Sequence, residues 1–275
     1  MKPRTLTSLI LAALLLTASP SMAQQQKGES LLGMQTRLVL PVVDLLSSMA
    51  WYSRLGWSPT NELGARSDST ISITDGQVRA TLTTAKLPGT VISFASRNMR
   101  LLKDTLDSLH VSYHFDMKGP TIGELRISSP NGVKLMVRSN VDEPETIPEA
   151  KENPICGFNT EFSIGVVSLK SEVQWWESLG FTQVKGGMVP YPFAEMTDGR
   201  IRIGLHEDKD IPSLAITYYA KDMEQRIDRL KKTGITIDEE IPTPDDRVGN
   251  AIMRSADGQL IFMFEGEAVK GRSEK

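Results

Sequence analysis

Short apolar stretches with two-residue alternation recur along the chain, interrupted four times by segments of helical period. Leu38–Val43 and Phe162–Val167 each predict a strand running straight into an amphipathic helix. In the second of these helices Leu169, Val173, Trp176 and Leu179 fall on one face. Gly56 and Gly180 follow where a helix C-cap is expected. Three strand candidates come next, then a further strand (Val91–Ala95 or Leu214–Tyr219) and a further helix. That helix is Met99–His110 in one half and Met223–Thr233 in the other, where Gly234 follows it. Three more strands close each half, so the pattern reads βαβββ-βαβββ twice.

The two halves are copies. Residues 42–57 (VVDLLSSMAWYSRLGW) and 166–181 (VVSLKSEVQWWESLGF) share 7 of 16 positions without a gap, at an offset of 124. Thr74-Asp75-Gly76 and Thr197-Asp198-Gly199 repeat at offset 123, and Gly132 and Gly258 at offset 126. We read domains at 34–140 and 158–268. The segment 141–157 is rich in Pro and Glu and lacks apolar period, which predicts an extended linker with Cys156 as a bystander thiol at its end. Residues 1–23 predict an export signal: Lys2 and Arg4, the apolar run Leu9–Ala18, then Ser21-Met22-Ala23. That run is shorter than the roughly 20 residues a spanning helix needs. The expected address is the bacterial periplasm or beyond, with no membrane association after cleavage.

Composition narrows the chemistry. The 275 residues are 40% hydrophobic, enough for real cores, and carry a net charge of −3, with no basic excess of the kind nucleic-acid binding shows. One cysteine excludes an internal disulfide and a cysteine-rich zinc site. Only His110, His114 and His206 could bring imidazole to a metal. The first two fall at a helix end and on a surface strand. There is no GxSxG, HExxH, GxxxxGK[ST] or GxGxxG.

Three features carry a resemblance: the strand–Val-x-Asp/Ser-Leu–helix–Leu-Gly-Phe/Trp opening, the Thr-Asp-Gly turn with Arg-Ile-Gly-Leu-His-Glu after it, and the Ser-x-Asp/Asn-Gly turn before the last strand. In order, spacing and duplication they resemble the vicinal oxygen chelate superfamily, which includes glyoxalase I, bleomycin-resistance proteins and extradiol dioxygenases. The resemblance implies an α+β fold of two tandem glyoxalase-like domains, each a pair of βαβββ units curling a mixed sheet into an open cup with helices outside. It also implies a divalent metal held by His, Glu or Gln on the first and last strands of the units. Those positions fall on Arg37, Thr81, Val91 and Met136 in the first copy, and on Glu161, Gly204, Ala215 and Phe262 in the second. Only Glu161 is a donor suited to such a metal.

Strand parity then gives the cup linings. In the second copy Ile201, Ile203 and Leu205 pack outward while Arg202, Gly204 and His206 face in. Phe162, Ile164 and Val166 likewise pack outward and leave Glu161, Ser163 and Gly165 inside. Glu161 and His206 thus share a cavity, with Thr217, Tyr219 and Phe262 as further lining. In the first copy Arg37, Arg79, Lys134 and Arg138 face in, a cationic arrangement that favours anions. The ligand-binding candidates are Arg37, Arg79, Lys134, Arg138, Glu161, Arg202, His206 and Tyr219. The leading expectation is an exported small-molecule binder without cofactor or metal, monomeric or homodimeric. The alternatives are a glyoxalase- or dioxygenase-type metalloenzyme with a displaced site at Glu161 and His206, and a structural or partner-binding module using the apolar Trp-bearing surfaces.

Overall fold

The computed structural model describes residues 31–33, 35–60, 66–139, 154–188, 191–208, 211, 214–243, 245 and 247–267. The segment read as an export signal and most of the linker lie outside them. Among the described residues no helix is long and apolar enough to cross a membrane.

The first copy runs β1 (Gln35–Pro41), α1 (Leu45–Arg54), β2 (Ser58–Pro59), β3 (Arg66–Ser67), β4 (Thr70–Thr74), β5 (Arg79–Thr83), β6 (Val91–Ser96), α2 (Met99–Ser108), β7 (Tyr113–Lys118), β8 (Thr121–Ser128) and β9 (Lys134–Ser139). The second runs β10 (Phe158–Gly165), α3 (Leu169–Ser178), β11 (Thr182–Gly187), β12 (Phe193–Thr197), β13 (Arg202–His206), β14 (Ala215–Ala220), α4 (Met223–Lys232), β15 (Glu239–Pro242), β16 (Val248–Arg254) and β17 (Leu260–Glu265). Each copy forms one mixed, unclosed sheet, ordered β2-β4-β5-β1-β6-β9-β8-β7 and β11-β12-β13-β10-β14-β17-β16-β15. The two units of a copy meet through the antiparallel pairs β1–β6 and β10–β14. The expected α+β architecture of paired βαβββ units is what the chain adopts, with the two-residue β3 added to the first copy.

Local chemistry sets the elements. The first strand stops at Pro41 rather than Val43 because Asp44 caps α1, accepting the Ser47 N–H at 2.7 Å. Ser168 caps α3 in the same way. Gly56 and Gly180 close the helices at φ 89°, a left-handed conformation that favours glycine. The Thr-Asp-Gly turns are stereochemical duplicates. Asp75 Oδ1 accepts the N–H groups of Gln77 and Val78, and Asp198 Oδ1 those of Arg200 and Ile201.

Parity holds on the outer faces. Leu38, Leu40, Ala80, Leu82, Phe162, Ile164, Ile203 and Leu205 all join one apolar cluster beneath the helices. That cluster is continuous across both copies, so the two domains share a core. Trp176 is fully buried in it, and Trp175 packs against its edge. The expected linker is corrected at its end. Residues 154–157 form a turn packed into the core, where Cys156 is buried and Arg226 donates to the Pro154 carbonyl. His110 and His114 are exposed, as expected.

Among the contacts that join the copies in the described residues, two are related by the repeat. The turn 255–258 of the second copy meets α1 of the first: Asp257 accepts the Val43 N–H at 2.8 Å and the Ser48 hydroxyl at 2.6 Å. The turn 129–132 of the first copy meets α3 of the second. There Asn131 Oδ1 accepts the Val167 N–H at 2.7 Å, while Glu172 Oε1 accepts the Asn131 N–H at 2.8 Å and the Ser129 hydroxyl at 2.5 Å. Each junction holds one carboxylate, on the turn in the first case and on the helix in the second.

Candidate functional site

Residues on the concave face of the second sheet line up in rows across the strands. Glu161 on β10 is level with Thr217 on β14 and Phe262 on β17. One pleat along, Glu195, Gly204, Ser163, Ala215 and Leu260 form the next row. Beyond it His206 pairs with Phe193 and Gly165, and on the opposite side Tyr219 pairs with Phe264.

Glu161 is the centre of this surface. Its Oε1 accepts the Ser163 hydroxyl at 2.8 Å and lies 3.0 Å from His206 Nε2. Ser163 and Thr217 hydroxyls are 2.6 Å apart, which extends the chain of hydrogen bonds to β14. Both Glu161 and His206 are largely enclosed, at 14% and 15% side-chain exposure. Gly204 makes this possible: a Cβ there would lie 2.3–2.5 Å from the Glu161 carboxyl atoms. With Nε2–H donated to Glu161, His206 Nδ1 is left an acceptor, and it is buried without a hydrogen-bond partner among the described residues.

Aromatic rings wall the pair. Tyr191 meets the His206 ring edge-on at 5.7 Å, and Phe193 stacks on it at 6.4 Å. Phe262, Phe264 and Tyr219 continue the wall on the far side. Burial, reinforced by the charges of Glu161 and neighbouring acids, pushes the Tyr219 phenol up to about 12. Burial raises Tyr191 too, with Asp208 and Glu161 adding to the effect. Both therefore stay protonated, neutral donors at physiological pH. Arg202 is ion-paired to Glu195 beside the site, so its charge is already compensated.

The metal positions that the resemblance implies can now be tested against the residues that occupy them. The residue level with Glu161 and Phe262 is Thr217, two positions past the expected Ala215. In the first copy Arg37 is level with Ser93 and Met136, and Val91 with Val39. Gly204, Thr217 and Phe262, which neighbour Glu161 on the concave face, are not the donors such a metal takes. His206 is its hydrogen-bond partner rather than a second independent donor. Two protein donors fall short of the three that catalytic zinc sites usually supply. Among the described residues no group of three or more His, Cys, Asp or Glu could hold a metal ion. This donor set does not fit the metal that the resemblance implies.

The first cup differs in kind. Its floor is Val39, Val91 and Met136 with Leu87 against them. Arg37 and Arg79 occupy adjacent positions on β1 and β5, one residue before the Leu38–Ala80 pair. On β9, Lys134 donates to the Ser128 hydroxyl, and Arg138 pairs with Glu124 at 3.4 Å. The eight predicted residues thus divide: Arg37, Arg79, Lys134 and Arg138 in one cup, Glu161, Arg202, His206 and Tyr219 in the other. Tyr191, Glu195 and Phe264 were not among the candidates.

No family model and no curated protein matches the sequence. The comparison of structures decides the fold. A catechol 2,3-dioxygenase superposes with TM-score 0.56 at 12% identity, over 84% of this chain and 87% of that one. The chain has the vicinal oxygen chelate fold. A Mn(II)-bound glyoxalase from Novosphingobium aromaticivorans matches with TM-score 0.56 at 18% identity, over 84% of this chain and 80% of the other. Homoprotocatechuate 2,3-dioxygenase from Arthrobacter globiformis matches with TM-score 0.58 at 15% identity, over 84% and 78%. At such identities the vicinal oxygen chelate likeness is one of fold, and function has to come from the site.

Proposed function

We propose that the protein is an exported small-molecule binder on the vicinal oxygen chelate fold, working without the metal of its structural relatives. The binding site is the second cup. The observation that carries this reading is the largely enclosed Glu161–His206 pair inside aromatic walls. Flat apolar walls with a few convergent polar groups describe a small-molecule pocket. The site offers the Glu161 carboxylate as acceptor and the Tyr191 and Tyr219 hydroxyls as donors, so the ligand should be a compact aromatic compound bearing an O–H or N–H donor. Export rests on the leader read in residues 1–23.

The test is thermal denaturation of the intact protein against phenols, anilines and indoles. A ligand at about 100 times its Kd should stabilise by about 2.7 kcal/mol, and Glu161→Gln should remove most of that gain. Absence of any stabilising compound, or stabilisation indifferent to Glu161→Gln, would refute the assignment. Turnover of a bound compound would instead favour an enzyme that uses the Glu161–His206 pair for proton transfer.

A further inference from the structure

Glu161 is bonded on one oxygen only. The Ser163 hydroxyl and His206 Nε2 both reach Oε1, whereas Oε2 has no hydrogen-bond partner among the described residues and is not shut off from solvent. The hydroxyls of Tyr191 and Tyr219 also lack a hydrogen-bond partner among the described residues. The Glu161 charge reaches both phenols and adds to the burial that keeps them protonated. A phenol oxygen accepts as well as donates, so open acceptors converge on a negatively charged site. Among the described residues no lysine or arginine pairs with Glu161. Arg202 is taken by Glu195, and Lys185 is exposed at the sheet edge. The walls have the same electrostatic sense. The faces of aromatic rings are negative and attract a cation within about 6 Å of the ring centre. One ring of this wall already carries an ammonium, since Lys185 Nζ stands 5.9 Å from the centroid of Phe193. Tyr219, Phe262 and Phe264 offer further rings on the other side of Glu161. A carboxylate among π faces suits an organic ammonium ion, which brings several N–H donors and no acceptor.

We propose that the second cup selects an organic cation, a compact arylalkyl ammonium whose head group lies at Glu161 Oε2 among the rings. This selectivity rests on the cup being the ligand site proposed above, and adds the charge of the ligand.

Calorimetric titration of the intact protein with phenethylamine and with 2-phenylethanol tests it, at pH 8, above the usual histidine range. The two compounds share a body and a length, but the alkylamine is a cation at that pH and the alcohol is neutral. Saturable 1:1 binding of the amine is expected, about tenfold or more tighter than the alcohol. Glu161→Gln should bring the two affinities together. Phe264→Leu removes one π face and should narrow the preference by about threefold; it provides the test if Glu161→Gln does not fold. Asp107→Asn, at an exposed carboxylate on α2, should leave the preference unchanged. Alcohol binding as tight as the amine's would overturn the cation selectivity while leaving the cup a ligand site. A preference untouched by both Glu161→Gln and Phe264→Leu would overturn it as well. So would binding of neither compound, and the phenols, anilines and indoles then decide by themselves whether the cup is a ligand site.

Discussion

Glycine at two positions shows how single residues build the second cup. At Gly204 the three atoms nearest a Cβ all belong to the movable end of the Glu161 side chain, 2.3–2.5 Å away. Gly204→Ala should therefore leave the fold nearly intact while displacing Glu161 from His206. The expected outcome is a melting temperature close to wild type with ligand stabilisation lost. At Gly165 the same methyl group would strike the carbonyl oxygens of Ile211 and Asp208 at 2.1 and 2.8 Å. Backbone cannot swing aside, so Gly165→Ala should cost stability itself, about 1–3 kcal/mol as overpacking does. Equal melting temperatures for the two variants would contradict this geometry. At this scale the strand residues were legible because alternation decides their face. Glu161 and His206 could be paired from parity alone. Tyr191 could not, since it lies in a Pro-containing stretch of sequence with no period to say which way it points. Glu195 and Phe264 lie on strands, but nothing local marked them as neighbours of Glu161.

Elements dock across the copies through a carboxylate that changes sides. Ser48 on α1 faces Asp257, whereas its repeat partner Glu172 on α3 faces Ser129 and Asn131. One carboxylate satisfies each junction and two would repel. Ser48→Glu alone should destabilise by placing a second carboxylate against Asp257. Adding Asp257→Asn recreates the arrangement of the other junction and should recover part of the loss. A favourable coupling of about 0.5–3 kcal/mol is expected from denaturant unfolding of the four proteins in the cycle. Additive effects would mean that the junctions are not equivalent. The turns themselves were legible from their repeated glycines, which take φ 85° and 90° at Gly132 and Gly258. Their partners were not, because contacts 36–214 residues apart leave no trace in local pattern. The same limit hid the packing of Cys156. A Pro- and Glu-rich run reads as linker until its last turn is seen filling space beside Gly56, where Ile155 sits within 3.0–3.3 Å of a Cβ position.

Over the whole molecule, duplication made the fold readable. A repeat at one offset fixes element order twice over, and paired sheets follow because each unit must bury its apolar face. The chemistry of each cup was less legible, because strand residues at matching places differ between the copies. Arg37 and Glu161 hold the same place and reverse its charge, and His206 has Thr83 at the corresponding place in the first copy. The account's central claim is that this frame binds its ligand without the metal of its structural relatives. Metal content measures that most directly. The protein would be purified without chelator, incubated in turn with Fe(II), Mn(II), Ni(II) and Zn(II), desalted and analysed by mass spectrometry beside Glu161→Ala/His206→Ala. The account predicts far less than one metal per chain in both proteins, since two mutually bonded donors make a poor site. About one metal per chain, lost in the double variant, would contradict it and make the Glu161–His206 pair a metal centre.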